Sequence, residues 1–175
     1  RLLRQAQLEE AARSGSCHSF DALVKNCFNS GVPDHIVHGL EKTFRKNQAL
    51  NELRNATHSG VVHRISKALH HAKVNNVEDV VVSEANVILR RLVASRLRTT
   101  VADVQKIVDA DKASDGGDSI ERAHVEMLRM SINDCIQAGT PEKYYASAQK
   151  LLKDIESKVL RQEAEQDRNR HNQAL

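Results

Sequence analysis

Apolar residues recur along the chain at the three- and four-residue intervals of amphipathic α-helices. Phe20, Val24 and Cys27 form an i, i+4, i+7 stripe, and a second stripe of this kind follows Gly31. Gly31 suits the left-handed conformation that ends many helices. The pattern therefore predicts two antiparallel helices joined by a short turn. One such hairpin leaves an apolar face uncovered, so we expect neighbouring hairpins to stack against it.

The hairpin pattern recurs along the chain. Gly31 corresponds to Asn76 in a second copy and to Gly139 in a third, and we expect all three residues to take the left-handed conformation. The predicted repeat units are residues 8–45, 53–95 and 118–160, with an insertion at about residues 99–118. Equivalent positions carry similar apolar residues, such as Val24, Leu69 and Ile132. This agreement predicts a short α-solenoid-like stack of three units.

The full pattern predicts about nine helices and no strands. Their expected positions are residues 2–13, 19–29, 33–45, 47–57, 61–74, 77–96, 101–110, 118–137 and 141–167. Thr140-Pro141-Glu142 is typical of a helix start, because it offers a capping hydroxyl, a proline and an acid in sequence. The predicted fold is all-α, in a single domain of residues 1–162. A polar tail of residues 163–175 follows and is expected to fray.

Composition agrees with an all-α fold. The 175 residues include only 7 Gly and 2 Pro, whereas β-sandwiches and β-barrels need turn residues at short, regular intervals. Ala, Leu, Glu, Lys, Arg and Gln are the dominant residues, and they favour helices. No apolar run approaches the roughly 20 residues that cross a bilayer. We therefore expect neither a Gly-rich nucleotide fold nor insertion into a membrane.

Charge and cysteines bear on partners and compartment. Lys and Arg number 26 against 23 Asp and Glu, and a net charge of +3 is far from the basic excess of a dedicated nucleic-acid binder. Cys17, Cys27 and Cys135 form no CxxC motif. They are expected to be reduced thiols in an intracellular compartment. The chain begins with Arg1 rather than Met, which we expect of a processed or trimmed sequence.

One hairpin resembles a known repeat family. The segment Ser19-Phe-Asp-Ala-Leu-Val-Lys-Asn-Cys-Phe-Asn-Ser-Gly31 is similar to the first helix of a pentatricopeptide (PPR) repeat, and the resemblance continues through residue 44. The spacing of the units is longer than in a regular PPR array, so the resemblance implies PPR-like hairpins. In size and class the chain also resembles the small PPR-like extra subunits on the F1 head of euglenozoan mitochondrial ATP synthases. That resemblance implies a location in the mitochondrial matrix.

The PPR resemblance also raises RNA binding. PPR repeats read one base each with side chains of the repeat, and the corresponding positions here are Ala22, Lys67 and Met130. Alanine and methionine offer no hydrogen bond to a base edge, and lysine contacts a phosphate without reading sequence. RNA binding is therefore an alternative that these residues disfavour.

A basic run is the candidate partner-binding site. Arg90, Arg91, Arg96 and Arg98 lie at and just beyond the end of predicted helix 77–96. We predict that they contact a partner protein, with phosphate binding or a solvated helix face as alternatives. The apolar residues of this helix form a band wider than one buried stripe needs. Either one edge of the helix contacts a partner, or the helix is buried on several sides.

No motif predicts a metal, cofactor or catalytic residue. The histidine pairs His35/His38 and His58/His63 lack the further ligands of a zinc pattern, and HExxH is absent from the sequence. The acidic segment 111–118 lacks the ligand spacing of an EF-hand, so we predict a solvated loop. GxSxG and Gly-rich phosphate-binding motifs are also absent. The cysteines occupy apolar helix positions, which favours a packing role.

These patterns predict a non-catalytic helical-repeat scaffold or accessory subunit. It would dock on protein partners in a larger complex, with the F1 part of a mitochondrial ATP synthase as the specific candidate. A PPR-like RNA-binding protein is the first alternative. A cytosolic or ciliary helical scaffold is the second.

Overall fold

The computed structural model describes residues 1–16, 18–113 and 122–173. These residues form seven α-helices and one short 3₁₀ helix, without strands. The helices are α1 (Leu2–Ser14), α2 (Phe20–Asn29), α3 (Asp34–Ser59), α4 (Val62–Val74), α5 (Asp79–Ala113), α6 (Arg122–Gln137) and α7 (Ala146–Gln173), with the 3₁₀ helix at Glu142–Tyr144. The all-α class predicted from the sequence is confirmed for this part of the chain.

The count of nine helices is wrong, because two predicted breaks do not occur. Predicted helices 33–45 and 47–57 are both part of α3, and predicted helices 77–96 and 101–110 are both part of α5. Neither junction contains a Gly or Pro that would interrupt the backbone ladder. In α5, Thr100 donates its hydroxyl to the carbonyl oxygen of Arg96 at 3.1 Å, so this polar side chain is satisfied within the helix.

Two predicted segment boundaries also change. Helix α5 continues to Ala113, so residues 111–113 of the predicted acidic loop are helical, and the rest of that loop lies outside the described residues. Thr140 does not cap an α-helix. Pro141 instead precedes the 3₁₀ helix, and α7 begins after Tyr145. Helix α7 then runs through most of the predicted tail, as far as Gln173.

Three helix ends share one backbone turn. Gly31, Asn76 and Gly139 have φ values of 70°, 53° and 65°, which confirms the predicted left-handed conformation. In each turn the next N–H reaches back five residues to a helix carbonyl, as in a Schellman motif. The donor and acceptor pairs are Val32 and Cys27 (3.1 Å), Val77 and Ala72 (3.0 Å), and Thr140 and Cys135 (2.9 Å).

The chain divides into two compact units, Arg1–Leu89 and Arg90–Leu175, where the sequence predicts one domain of residues 1–162. The first unit has its core where α1, α2 and the start of α3 meet. The rings of Phe20 and Phe44 stack there, with their centroids 3.7 Å apart and their planes within 7°. Asn47 on α3 donates to the carbonyl oxygen of Ala12 at 2.9 Å, which ties α3 to the last turn of α1.

The second unit contains the remainder of α5 together with α6 and α7. Its buried apolar side chains come from all three helices, and they include Leu97, Val104, Leu128, Ile132, Ala148 and Ile155. Thr100 on α5 and Ser131 on α6 are both buried, and their hydroxyl oxygens lie 3.2 Å apart. Buried polar groups of this kind need a partner, because an unpaired hydroxyl in the core costs free energy.

None of the described helices combines the length and the apolar character that crossing a membrane requires.

Candidate partner-binding surface

Two of the four predicted partner-binding arginines contact α6. The Nε of Arg90 donates a hydrogen bond to the carbonyl oxygen of Ala138 at 3.1 Å. Ala138 directly precedes Gly139, where the left-handed turn leaves the last carbonyls of α6 without helix partners. A cationic side chain is favourable at this end of a helix, because the carbonyls there carry partial negative charge. Arg90 therefore caps the carboxyl-terminal end of α6.

Arg96 makes the second contact with α6. Its Nη1 lies 3.4 Å from Oδ2 of Asp134, and both side chains are partly exposed to solvent. An exposed pair at this distance contributes little to stability. It nevertheless holds the Arg96 side chain toward α6 and away from a partner on the opposite side of α5.

Arg91 and Arg98 differ from the other two arginines. They are seven residues apart on α5, which places them on the same face two turns apart. Both are exposed, and neither pairs with a group in the described ranges 1–16, 18–113 and 122–173. The structure therefore separates the predicted set into two arginines with internal contacts and two with open guanidinium groups.

The valine-rich start of α5 is buried on one side and exposed on another. Val82 and Leu89 are buried, whereas Val80 is 69% exposed and Val87 is 44% exposed. The start of α5 is therefore not buried on all sides, and contact of its exposed edge with a partner stays a prediction from the sequence. The exposed valines are apolar surface of the kind that partner proteins cover.

The three positions that correspond to base-reading residues of PPR repeats are exposed. Ala22 lies on α2, Lys67 on α4 and Met130 on α6, and all three side chains face solvent. These side chains can reach a ligand, but alanine and methionine still offer no hydrogen bond to a base. Among the three, Lys67 alone carries a group that would bind a phosphate or a carboxylate.

Lys67 borders a groove that the sequence pattern does not indicate. The groove lies between α3 and α4 and has a volume of about 400 Å³. Ala56 and Ala68 form its floor, because their small side chains let the surface sink between the helices. Arg64 and Lys67 stand on the α4 side. The sequence signal in this region is the excess of basic residues over residues 42–77, where Glu52 is the single acid.

A hydrogen bond crosses the same groove. Nδ1 of His71 on α4 donates to Oε2 of Glu52 on α3 at 2.6 Å. Asn55 on α3 also lines the groove, one turn closer to the α3–α4 connection. The carboxylate of Glu52 therefore already has a hydrogen-bond donor within the protein.

A second group of charges joins α6 to α7. Arg129 contacts Glu126 and Glu156 at 2.6 Å each, and Arg122 contacts Glu163 at 2.6 Å. The hydrogen bond that Arg129 donates to Glu156 raises the pKa of Arg129, and the bond that Arg122 donates to Glu163 raises the pKa of Arg122. These cations are neutralised within the protein. They are accordingly weaker candidates for a partner than Arg91, Arg98, Arg64 and Lys67.

The two described cysteines are core residues. Cys27 and Cys135 have no exposed surface, and burial raises the pKa of each thiol. The thiol of Cys27 donates to the carbonyl oxygen of Arg4 at 3.4 Å. Among the residues that the structure describes, no three His, Cys, Asp or Glu side chains are grouped as metal ligands would be. Cys17 lies outside those residues.

Comparison with known proteins adds no family to this picture. The chain matches no family model, no curated protein and no solved structure. The function is therefore argued from residues and geometry. The PPR resemblance of residues 19–44 stays a prediction from the sequence.

Proposed function

We propose that this protein is a non-catalytic helical-repeat subunit that docks on protein partners in a larger complex. The observation that carries the proposal is the recurrence of one helix-ending turn at residues 27–32, 72–77 and 135–140. In helical-repeat proteins as a class, the side chains of successive hairpins form the binding surface, which suits docking on other proteins.

Burial at equivalent positions supports the repeat. Three positions of the first helix of each hairpin are buried in every copy. These sets are Phe20, Ile65 and Leu128; Val24, Leu69 and Ile132; and Cys27, Ala72 and Cys135. Unrelated amphipathic helices have no reason to bury residues at the same distances from a left-handed turn. Copies of one hairpin do bury the same positions, because they share one core-facing stripe.

Contacts between consecutive hairpins give further support. The Nζ of Lys46, on the second helix of the first hairpin, lies 2.6 Å from Oε1 of Glu78 in the next turn. Arg90, on the second helix of the second hairpin, reaches Ala138 in the third turn. Each contact lies within one compact unit. In both cases a basic residue of one hairpin contacts the turn of the next, as stacking predicts.

Exposed side chains supply the docking surface. Arg91 and Arg98 present open guanidinium groups, and large apolar side chains on α6 face solvent. The most exposed of these apolar residues are Met130 (60%) and Met127 (52%). Methionine adapts its shape to a partner and is frequent at protein-binding surfaces. Exposed apolar side chains and unpaired cations each favour a protein partner.

The specific complex we propose is the F1 part of a mitochondrial ATP synthase, with the protein in the mitochondrial matrix. Its support is the resemblance to the small PPR-like subunits of euglenozoan enzymes and to the PPR hairpin at residues 19–44. A cytosolic or ciliary scaffold with the same fold is the competing location. Fluorescent tagging of the full-length precursor distinguishes the two.

The test is native purification of the tagged full-length protein, followed by mass spectrometry. We expect F1 subunits to co-purify in a fixed ratio. The variant Arg91→Glu/Arg98→Glu should lower their recovery. Lys150→Glu/Lys153→Glu, which makes the same charge change at exposed positions of α7, should leave recovery unchanged. Wild-type protein that purifies without any stoichiometric protein partner would contradict the proposal.

A PPR-like RNA-binding protein is the second candidate, and the exposed Lys67 on α4 favours it. Binding of this kind depends on phosphate contacts and falls steeply with salt. Filter binding of single-stranded RNA at two salt concentrations tests it. Binding that survives physiological salt would favour this candidate over the docking subunit.

A further inference from the structure

Positive charge is concentrated in one segment of the chain. Residues 42–77 contain seven Lys and Arg but a single acid, Glu52. This segment therefore carries a net charge of +6, whereas the whole chain has a net charge of +3. The rest of the protein is net acidic. The basic segment comprises most of α3, all of α4 and the turn that follows, so the charge is displayed by two adjacent helices.

The basic side chains of α4 are not neutralised by neighbours. Arg64 and Lys67 are exposed, and neither makes an ion pair or hydrogen bond with a group in the part of the chain that the structure describes. Helix α4 itself contains no acidic residue. This differs from α6 and α7, where Arg129 and Arg122 are already paired with glutamates. The cations of α4 are thus available for an external anion.

These cations border a shaped surface. The groove between α3 and α4 has a floor of two alanines, Ala56 and Ala68, and Arg64 and Lys67 lie along one wall. Its only acid, Glu52, is held by His71 at 2.6 Å. A ligand that fits must place anionic groups against α4 and small apolar groups on the floor. An acidic peptide segment has both.

Nucleic acid fits this groove less well. Binding to single strands relies on aromatic side chains on which bases stack. The chain has no Phe, Tyr or Trp between Phe44 and Tyr144, so histidine is the one aromatic side chain that α4 and the second half of α3 offer. A groove of about 400 Å³ is also of the size that accommodates a few side chains.

We propose that the groove between α3 and α4 binds an acidic segment of a partner protein. Arg64 and Lys67 pair with its carboxylates, and Ala56 and Ala68 contact its small apolar side chains. The inference rests on the proposed docking function and specifies the partner's chemistry. Opposite charge on the partner would also steer its approach and make association sensitive to salt.

Fluorescence anisotropy with defined peptides tests the proposal on the full chain. The probes are a fluorescein-labelled peptide of repeated Glu-Glu-Ala-Leu, the same peptide with Gln in place of Glu, and labelled oligo(U). We expect the Glu peptide to bind and the Gln peptide to bind at least about tenfold more weakly, since two or more charge contacts are lost. We expect oligo(U) to bind more weakly than the Glu peptide at physiological ionic strength.

Matched variants locate the binding. Arg64→Glu/Lys67→Glu should weaken binding of the Glu peptide by about tenfold or more. Lys150→Glu/Lys153→Glu changes the net charge equally and should have an effect below about twofold, because neither lysine lines the groove and salt screens exposed charges. Arg64→Lys/Lys67→Arg should retain binding. The circular dichroism spectrum and Tm should match the wild type in all three variants, since these side chains are exposed.

Three outcomes would overturn the inference. They are equal binding of the Glu and Gln peptides, tighter binding of oligo(U) than of the Glu peptide, and equal weakening by the two glutamate double variants. Equal binding of the two peptides would show that carboxylates are not needed. Tighter binding of oligo(U) would show that the groove prefers phosphate. Equal weakening by the two glutamate variants would show that net charge alone explains the effect.

Native purification separates this inference from the proposed function. If Arg64→Glu/Lys67→Glu recovers the same partners as wild type, the groove is not the docking site, but the docking function stands. If the wild-type protein has no stable protein partner while peptide binding depends on Arg64 and Lys67, the docking function fails. The preference of the groove for acidic peptides then stands.

Discussion

The Nε of Arg90 donates a hydrogen bond to the carbonyl oxygen of Ala138, 48 residues along the chain, at 3.1 Å. The guanidinium also lies within van der Waals distance of the position that a side chain at Gly139 would occupy, 3.5 Å from Nη2. One side chain thus covers the turn that ends α6. A residue predicted to bind a partner is used within the protein, and this affects how substitutions at the four arginines are interpreted.

Arg90→Ala should destabilise the protein, whereas Arg91→Ala should not. Loss of the hydrogen bond to Ala138 leaves a carbonyl at the end of α6 to solvent, and we expect a loss of about 0.5–1 kcal/mol in the free energy of unfolding. Arg91 is exposed and makes no hydrogen bond or ion pair with the described residues, so its removal should change stability by less than about 0.5 kcal/mol. Urea denaturation monitored by circular dichroism measures both. Equal losses would contradict the role of Arg90.

Gly15→Ala should be far more damaging than Gly60→Ala. Both glycines end a helix in the left-handed conformation, with φ of 61° and 65°. A Cβ at Gly15 would lie 2.5 Å from the carbonyl carbon of Asn47, whereas a Cβ at Gly60 meets nothing within 4 Å. We expect a cost of about 1–2 kcal/mol at Gly60 from the backbone conformation alone.

The expected cost at Gly15 is at least about 3 kcal/mol, because the α1–α3 contact must also separate. Thermal and urea unfolding of the two variants provide the comparison, and each glycine serves as the control for the other. Similar losses at both positions would show that the close approach of α1 to α3 is not required.

The buried Thr100–Ser131 pair should respond asymmetrically to substitution. Thr100→Val leaves the Ser131 hydroxyl buried without its partner, and we expect a loss of about 1–3 kcal/mol. Ser131→Ala should cost less than about 1 kcal/mol, because Thr100 still donates to the carbonyl oxygen of Arg96 at 3.1 Å. The double variant should be more stable than Thr100→Val. Chemical denaturation of the three variants tests this order, which would be reversed if Ser131 were the better satisfied residue.

The thiols of Cys27 and Cys135 should make stability fall at alkaline pH. Burial raises the pKa of both thiols in the folded protein, so they stay protonated after the same groups ionise in the unfolded chain. Their contribution is fully present below the ordinary thiol pKa of about 8.5 and declines as the pH rises above it. Urea midpoints across this pH range, compared with Cys27→Ala/Cys135→Ala, should show a steeper alkaline decline for the wild type.

Reactivity gives an independent measure of the same burial. In a Cys17→Ser background, both remaining thiols should react slowly with a thiol-specific reagent until denaturant is added. Fast reaction of either thiol in the folded protein would contradict a core position.

Local sequence was sufficient to predict the apolar stripes and the turns that end the helices. The stripe of Phe20, Val24 and Cys27 and the left-handed residues at Gly31 and Asn76 depend on neighbours only a few positions away. Helix length was harder to predict from the sequence. The polar residues near Lys46 and Thr99 suggest breaks, but a helix continues through polar residues when no proline or glycine interrupts its hydrogen bonds.

The sequence by itself determined the all-α class, the positions of three turns and the apolar stripe of each first helix, because these follow from periodicity and backbone preference. Only the tertiary structure decided that Arg90 and Arg96 face α6 while Arg91 and Arg98 remain open, and that Ala56 and Ala68 form the floor of a groove beside Arg64 and Lys67. The physical reason is distance along the chain. Contacts between residues tens of positions apart arise when helices pack. The charge and the periodicity of one helix do not indicate which other helix packs against it.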